Sequence, residues 1–521
     1  MRASPLLLLG LLGCGGSETF MIVTIDSVPA VHDVAKVQVD LDNDGQTRGD
    51  SFSTSNLDFP ATFSISAGAR TGNLDITVSA FDEEGLLVGR GKTTTMLELP
   101  TAALTLDSAD FVINTDFADD QFPSGDFESH GVQLGSAPDG TWTATYRDAC
   151  NDPCNMLARR FDVTGVPVDS ALAAGTNGFP VSTELSDGFF TTPTTASTSA
   201  GTVVLWNFED VAPSTEKGIA CRAIDTAGNG VGNQKTIATE LGTAFAVSAT
   251  PLGAATFAVA WNSTNPDNVT KGAIVDTQCG VSGLATISTV PGTLGAIRPS
   301  IATNGDRVLY SWTLDDTARF RVTTNTNAGV TGDLLLITQT ATENVEFTHA
   351  TKLGTGFGVF VRWAAVPTTA PGKIELYRIS NAGVVQGTPV LITNKTSSSF
   401  DSVQAFSVTT RAEDGLMLVV WHTCQAFADD SGCGVFGRFV GSDGNPIGEE
   451  FSVPTTTQMD QTDPSVIALP GAFAAMWKDE SLQAPDIAGS AVRGRVIYST
   501  TTGGGPSSKP EPRTVFPTIE L

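Results

Sequence analysis

Four short runs of β-forming residues end in tryptophan and set the pattern of the chain: Val203-Val204-Leu205-Trp206, Phe257-Ala258-Val259-Ala260-Trp261, Val419-Val420-Trp421 and Ala474-Ala475-Met476-Trp477. Similar runs extend the series to seven aromatic markers that recur at intervals of about 50 to 60 residues. The markers are Tyr146, Trp206, Trp261, Trp312, Trp363, Trp421 and Trp477. This regularity indicates one structural unit repeated seven times.

Each unit contains four such runs, which we name A to D in chain order, with the marker near the end of run B. Runs C and D flank tight turns such as Asn381-Ala382-Gly383 and Asp443-Gly444-Asn445. Short apolar runs between Gly, Asp, Asn and Pro clusters indicate an all-β chain. Four strands at this period are typical of a β-propeller, so the sequence predicts a seven-bladed β-propeller over residues 109–500.

The seventh unit lacks its own run D. After Arg495-Val496-Ile497-Tyr498 the chain enters TTTGGGPSSKPEPR, which has the composition of a linker. The segment Asp110-Phe111-Val112-Ile113-Asn114-Thr115 mirrors Glu450-Phe451-Ser452-Val453-Pro454-Thr455 of the sixth unit. We therefore expect residues 110–115 to supply the outer strand of the last blade and close the propeller. Residues 501–521 are expected to form a disordered tail.

A separate β-domain is expected before the propeller. Residues 20–108 contain runs such as Ala35-Lys36-Val37-Gln38-Val39, Ala61-Thr62-Phe63-Ser64-Ile65 and Leu74-Asp75-Ile76-Thr77-Val78. About seven short strands in this length predict a small immunoglobulin-like β-sandwich without the cysteines of immunoglobulin domains. It would hold the propeller away from a membrane.

The first residues have the features of an export signal. Arg2 is followed by the short apolar run Leu6 to Leu12 and then by Leu11-Leu12-Gly13-Cys14. This segment resembles the lipobox of bacterial lipoproteins, and the repeats resemble the propeller units of bacterial surface lipoproteins. The resemblance implies a signal peptide at 1–13, cleavage before Cys14, lipidation of Cys14, a tether at 14–19 and an outer-membrane location. An ordinary signal peptide with a chance cysteine is the alternative.

The charge and the cysteines restrict the partners and the compartment. The formal net charge of -27 disfavours nucleic acid and anionic membrane surfaces, so the lipid anchor is the expected membrane contact. Apart from Cys14, six cysteines remain, an even number suited to an oxidising compartment. We expect Cys150 with Cys154 and Cys424 with Cys433 to close local loops. Cys221 and Cys279 remain, and they could join adjacent blades.

The longest connections join runs B to C and D to A, which leave an antiparallel blade on the same face. Ligands often bind at such loops or at the mouth of the central channel. The predicted binding face carries acidic residues that suit a cation-assisted or cationic partner, although acidic loop tips are also ordinary solvated surface. These residues are Asp148, Glu209, Asp210, Asp267, Asp315, Asp316, Asp429, Asp430, Asp479 and Glu480.

One motif favours a metal. Asp40-x-Asp42-x-Asp44-Gly45 matches the first half of an EF-hand loop, so Asp40, Asp42 and Asp44 are weak candidates for Ca²⁺. The closing glutamate is replaced by Ser51, and an Asn-Asp-Gly hairpin turn explains the same residues. No other cofactor is indicated.

Catalysis has little support in the sequence. The four histidines, His32, His130, His349 and His422, are scattered, and no Ser-His-Asp group is indicated. The sequence favours a non-catalytic surface lipoprotein whose propeller binds a glycan or a protein. A glycan-active hydrolase is the alternative, since propellers can gather carboxylates from separate blades. A structural subunit of an envelope assembly is a third possibility.

Overall fold

A computed structural model describes most of the chain. The described residues are 20–54, 57–83, 85–114, 134–147, 156–168, 178–182, 193–209, 216–240, 244–264, 268–288, 299–365, 372–393, 403–424, 432–487, 489–499 and 514–521. The predicted signal peptide at 1–13 and the tether with Cys14 lie outside these residues. They stay predictions. The chain forms two compact units, one of residues 1–108 with 504–521 and one of residues 109–503.

The first unit is a single curved sheet of eight strands. Seven come from the amino-terminal segment: β1 Phe20–Ser27, β2 Lys36–Asn43, β3 Gln46–Ser53, β4 Ala61–Ser66, β5 Asn73–Phe81, β6 Leu87–Met96 and β7 Thr101–Ser108. The eighth is the last strand of the chain, β36, at Thr514–Glu520, and the spatial order is β3-β2-β5-β6-β7-β1-β4-β36. Alternate residues point inward along each strand, as in Val37, Val39 and Leu41 of β2.

The two ends of this sheet approach each other, so it is nearly a closed barrel. Phe52 of β3 stacks on Phe516 of β36 with ring centroids 5.0 Å apart. The immunoglobulin-like sandwich of two separate sheets is not confirmed, because β6 and β7 join both halves into one sheet. The predicted disordered tail at 501–521 is wrong for Thr514–Glu520, which pairs in parallel with β4 and buries Phe516 and Ile519.

The second unit is a seven-bladed β-propeller, as predicted, with four-stranded antiparallel blades. Blade 1 consists of β9 Leu134–Ser136, β10 Trp142–Arg147, β11 Met156–Phe161 and β12 Phe179–Pro180. Blade 2 consists of β13 Thr194–Thr198, β14 Gly201–Glu209, β15 Lys217–Ile224 and β16 Gly230–Glu240. Blade 3 consists of β17 Ala244–Pro251, β18 Thr256–Ser263, β19 Val269–Asp276 and β20 Val281–Thr286. Blade 4 consists of β21 Ser300–Asn304, β22 Arg307–Leu314, β23 Thr317–Thr324 and β24 Leu334–Thr338. Blade 5 consists of β25 Glu343–Leu353, β26 Gly356–Ala365, β27 Lys373–Ile379 and β28 Val385–Leu391. Blade 6 is β29 Val403–Thr410, β30 Met417–Cys424, β31 Cys433–Val440, β32 Pro446–Ser452, and blade 7 is β33 Gln461–Leu469, β34 Ala472–Asp479, β35 Ala491–Tyr498 with β8 Phe111–Val112.

The innermost strands contact one another in a ring that includes β33 of blade 7 with β9 of blade 1. Strand D of blade 7 is β8, from the segment before blade 1, and its ladder joins Phe111 to Gly494 and Val112 to Arg493. The backbone N–H of Val492 also donates to Oδ1 of Asn114 at 2.8 Å. The outer edge of the last blade is therefore covered by a strand from the start of the propeller.

The aromatic markers are buried within the blades, and apolar clusters lie between adjacent blades. Blade 5 departs from the register of the others. In blades 2, 4 and 7 the marker is the fifth residue after the first residue of strand B, whereas that place in blade 5 is taken by Val361. Trp363 lies two residues further on, and because side chains alternate along a strand it occupies the same face.

A second repeated residue secures the blade interfaces. In five blades an arginine of strand C donates from Nη1 to a backbone carbonyl at the end of strand D of the preceding blade. These interface arginines are Arg159, Arg222, Arg321, Arg438 and Arg495. Blade 3 has Ala273 at this position, and there the Cys221–Cys279 disulfide joins blade 2 to blade 3 instead.

Candidate functional site

The seven blades present two faces. We call the side that carries the A–B and C–D turns the turn face, and the side that carries the B–C and D–A connections the loop face. The sequence places the binding surface on the loop face. Of the predicted residues, Asp148, Asp210, Asp267, Asp429 and Asp430 lie outside the described residues, as do Cys150 and Cys154. Glu209 is placed in β14 by its backbone.

The remaining predicted acids of the loop face differ in their surroundings. Asp315 and Asp316 form the two-residue turn between β22 and β23 and are exposed, both with positive φ. Glu480 is paired with Lys478, with 2.6 Å between the charged atoms. Asp479 is buried, and its carboxylate accepts from Nε of Arg493 at 2.7 Å and from the hydroxyl of Ser481. Asp479 thus lies in the blade interior and not on the predicted binding face.

A further acid near this face is also paired. Glu240, at the end of strand D of blade 2, accepts from Nε1 of Trp261 at 2.8 Å and from Ser263 at 2.6 Å, and Nζ of Lys271 lies 2.7 Å away. Lys373 similarly lies between Glu343 and Glu375. Five described carboxylates near this face are therefore paired with cations of the same or neighbouring strands, whereas Asp315 and Asp316 are exposed.

An opening of the propeller lies on the other side. A cavity of about 670 Å³ is formed by the carboxyl ends of all seven inner strands and by the A–B turns. We call it the channel mouth. Its walls are mainly Ser, Thr, Ala, Val and Pro, for example Ser248, Thr303 and Thr410. It opens on the turn face, so a ligand there would meet the short, rigid turns.

Hydroxyl side chains hold the rim of the channel mouth in shape. Inner strands leave one backbone edge without a partner strand, so carbonyl groups on that edge can accept from side-chain donors. Ser136 donates to the carbonyl of Ala468 at 2.8 Å, and Thr303 donates to that of Pro251 at 2.6 Å. Thr410 donates to the carbonyl of Lys352 at 2.7 Å. In each case the hydroxyl lies one blade beyond the carbonyl, so the inner strands are tied to their neighbours.

Charged and titratable groups lie on one side of the channel mouth, in blades 5 and 6. Arg411 is buried and makes paired hydrogen bonds with Asp414, at 3.1 and 2.6 Å, while Glu413 accepts from the backbone N–H of Gly471. Burial lowers the pKa of His349 to about 4, and its Nδ1 has no hydrogen-bond partner within the described structure. A neutral histidine without a carboxylate to orient it is a poor general base.

The calcium candidates form a hairpin turn. Asp40 and Asp42 lie in β2, and Asp44-Gly45 is the two-residue turn to β3, with φ of 53° and 81°. The backbone N–H of Gly45 donates to Oδ1 of Asp42 at 2.8 Å. Among the described residues no three His, Cys, Asp or Glu side chains come together as a metal would require. The hairpin alternative thus accounts for the motif.

Two of the predicted cysteine pairs are present as disulfides, Cys221–Cys279 and Cys424–Cys433. Disulfides persist in oxidising compartments, so the chain is suited to an extracytoplasmic location. Across the ranges that the structure describes, no helix is long and apolar enough to cross a membrane.

The sequence reasoning missed the interface arginines and the rim hydroxyls. Both had a signal: an arginine follows in strand C of most units, as in Cys221-Arg222-Ala223 and Gly437-Arg438-Phe439, and Ser or Thr recurs near the end of strand A. The aromatic markers alone define the repeat, whereas the recurring polar positions become visible only when the units are aligned on their turns.

The chain is similar to solved structures at low sequence identity. No protein-family model matches the chain, and no curated protein matches it. Among solved structures, the chain is similar to the BP39L lectin from Burkholderia pseudomallei, with 14% identity, a TM-score of 0.47 and alignment over 68% of this chain and 94% of the lectin.

Two other solved structures are also similar to this chain. A protein of unknown function from Dyadobacter fermentans is 8% identical, with a TM-score of 0.41 and coverage of 75% of this chain and 98% of that chain. The alpha-L-arabinanase of Penicillium chrysogenum, in complex with arabinobiose, is 12% identical, with a TM-score of 0.39 and the same coverage. At such low identity the likeness concerns the propeller fold alone.

Proposed function

We propose that the propeller is a non-catalytic binding module that takes a glycan at the channel mouth. The observation that carries the proposal is the channel mouth itself, a concave opening of about 670 Å³ lined by residues from all seven blades, six of which contribute hydroxyl groups. Binding sites are preferentially concave and use a few fixed polar groups to orient the ligand. Sugar hydroxyls both donate and accept, as Ser and Thr side chains do.

The lining favours binding over hydrolysis. Glycoside cleavage uses two carboxyl groups, one of which must be protonated to act as an acid. Among the described residues that line the channel mouth, Glu413 is the single carboxylate, and its two oxygens accept from the backbone N–H of Gly471. This arrangement supplies no acid and nucleophile pair.

The test uses two neighbouring residues of the exposed A–B turn in blade 3. Ala254 lines the channel mouth and Ala255 does not. On a glycan array followed by calorimetry, we expect Ala254→Trp to weaken glycan binding by about tenfold or more, and Ala255→Trp to leave it unchanged. Equal binding by both variants contradicts the proposed position. Release of product from fluorogenic glycosides would instead support the hydrolase alternative.

We further propose that Cys14 carries the lipid anchor and that the protein resides at the outer membrane. The support is the apolar run before Cys14 and the disulfides that suit an extracytoplasmic compartment. Stable anchoring requires more than one acyl chain, which the lipidated amino terminus would supply. Metabolic labelling with radioactive palmitate should mark the wild type and leave Cys14→Ser unlabelled. A labelled Cys14→Ser protein would refute the anchor at this residue.

A further inference from the structure

A second cavity lies on the turn face, between blades 1 and 2. It has a volume of about 320 Å³ and is enclosed by the A–B turns of both blades, by Thr143 of β10, by Arg160 of β11 and by the C–D turn of blade 2. We call it the interblade pocket. Hydroxyl groups make up much of its wall, from Thr141, Thr143, Ser197, Ser199, Thr202 and Thr226.

The interblade pocket holds a buried charge. Arg160 is 8% exposed, and burial lowers its pKa. Within the described part of the chain, its guanidinium makes one hydrogen bond, from Nη2 to the carbonyl of Thr226 at 3.0 Å, and no ion pair. An arginine has five N–H donors, of which this hydrogen bond uses one. Unused donors therefore remain at a wall of the pocket.

Comparison of the blades separates Arg160 from the interface arginines. It lies two residues before the C–D turn and directly after Arg159, which points to the opposite blade face because side chains alternate along a strand. In blades 2, 3, 4 and 6 the equivalent residue is apolar: Ala223, Ile274, Val322 and Phe439. Blade 5 has Arg378, which is partly exposed, donates to Asp443 and Asn445, and lines none of the described cavities. At this position of strand C, a buried arginine beside a cavity is thus found in blade 1 and not in blades 2 to 6.

The charges around the pocket select the chemistry of a ligand. Asp139 and Asp225 lie at its rim, and hydrogen bonds lower the pKa of both carboxyl groups, although burial is the largest single influence on Asp225 and opposes its shift. Both are thus ionised at neutral pH, and with Arg160 they give the site an excess of negative charge. That excess disfavours anionic groups. A neutral polyol suits the site, because each hydroxyl accepts from the guanidinium or donates to a carboxylate.

The pocket and the channel mouth share one wall. Ala137 and Pro138 of blade 1 and residues 197–199 of blade 2 line both cavities. We propose that the interblade pocket binds the terminal sugar of a neutral oligosaccharide whose following units cross this shared wall into the channel mouth. This inference rests on the proposed glycan binding and adds the position of the chain end, its direction and its lack of charge.

Calorimetry on the full chain tests the inference with a matched pair of variants. The probes are neutral oligosaccharides of one to six units, chosen from the glycan array hits, and a uronate oligosaccharide of the same lengths. We expect Arg160→Met to weaken binding of the neutral chains by roughly ten- to a hundredfold, because hydrogen bonds to a charged group are lost. Arg378→Met, at the equivalent position of blade 5, should bind like the wild type.

The possible outcomes separate this inference from the proposed function. Affinity that rises from one unit to several and falls in Arg160→Met supports the inference, provided that the thermal melting of the variant matches the wild type. A folded Arg160→Met that binds neutral chains normally while Ala254→Trp does not overturns the inference and leaves the proposed function standing. Preference for the uronate chain overturns the charge argument. Absence of binding to every glycan overturns the proposed function itself.

Discussion

The buried ion pair between Asp479 and Arg493 offers the strongest test of the propeller's internal packing. The side chains are 1% and 4% exposed, with 2.7 Å between the charged atoms. Nη2 of Arg493 also donates to the carbonyl of Gln483 at 2.7 Å. Arg493→Met would leave the Asp479 carboxylate buried without a cation, and removal of one partner of such a pair costs about 3 to 5 kcal/mol.

The pH dependence gives this prediction a second readout. Burial already raises the pKa of Asp479 in the folded protein, and loss of the guanidinium would raise it further. A carboxyl group with a folded pKa above its unfolded value destabilises the fold at high pH, and the penalty is relieved as the pH falls through the folded pKa. The stability that Arg493→Met loses relative to the wild type should therefore become smaller as the pH falls from 7 toward the raised pKa of Asp479.

The assay is urea unfolding followed by tryptophan fluorescence, because Trp477 lies opposite Arg493 in the β34–β35 ladder. Asp479→Asn combined with Arg493→Met should recover about 2 kcal/mol relative to additive losses. Arg307→Met is the control, since Arg307 pairs with the exposed Asp306 and such pairs contribute at most about 1 kcal/mol. An Arg493→Met protein no less stable than the control, or a deficit that grows as the pH falls, refutes the reasoning.

Four further predictions follow from the contacts described above. Cys221→Ala with Cys279→Ala should lower the free energy of unfolding by about 4 kcal/mol, as loop entropy gives for residues 58 apart, and a reductant should destabilise the wild type more than the variant, in which the Cys424–Cys433 disulfide is still present. Arg438→Met should cost about 1 to 3 kcal/mol in urea unfolding, because the carbonyl of Ile392 loses its donor at 2.8 Å, and a cost below 0.5 kcal/mol, the range of ordinary surface changes, contradicts that role. Deletion of residues 514–521 should remove about 3 to 6 kcal/mol from the first unit, since Phe516 and Ile519 lose their burial, and unchanged melting of that unit contradicts the pairing of β36. His349, whose pKa is lowered to about 4, stays neutral in the folded protein, so the free energy of unfolding should decrease by on the order of 3 kcal/mol as the pH falls from about 6.5 to 4. In His349→Gln, the unfolding transition should take up one proton fewer over this pH range.

The propeller was predictable because its signal is local and repeated. Residues such as Trp206 and Trp477 lie in runs whose apolar character alone predicts a strand, and seven copies define the period. The N-terminal strands were found for the same reason. The arrangement of those strands was not, because β36 reaches the sheet from the far end of the chain, and no local pattern indicates which strand it pairs with.

The binding surface was harder to predict because a sequence does not show which charged residues form ion pairs in the folded protein. Asp479 and Glu480 are adjacent acids in the printed chain, yet one is buried against Arg493 and the other is neutralised by Lys478. The channel mouth is lined mainly by ordinary Ser, Thr and Ala residues that come together only where seven strands converge, and the interblade pocket forms where blades 1 and 2 meet. A single unit of the repeat gives no sign of that convergence.

When the blades are aligned on their turns, equivalent polar residues can be compared from blade to blade. This comparison separates structural from functional polar residues. A buried arginine that recurs in strand C and donates to the preceding blade serves the interface, and blade 3 supports this reading because a disulfide joins it to blade 2 where that arginine is missing. Arg160 differs from the interface arginines in its partner and in its surroundings. It donates to the carbonyl of Thr226 in the C–D turn of the following blade, and the rest of its guanidinium lies at the wall of the interblade pocket. N–H groups that make no protein hydrogen bond beside a cavity are the reason to look there for a ligand.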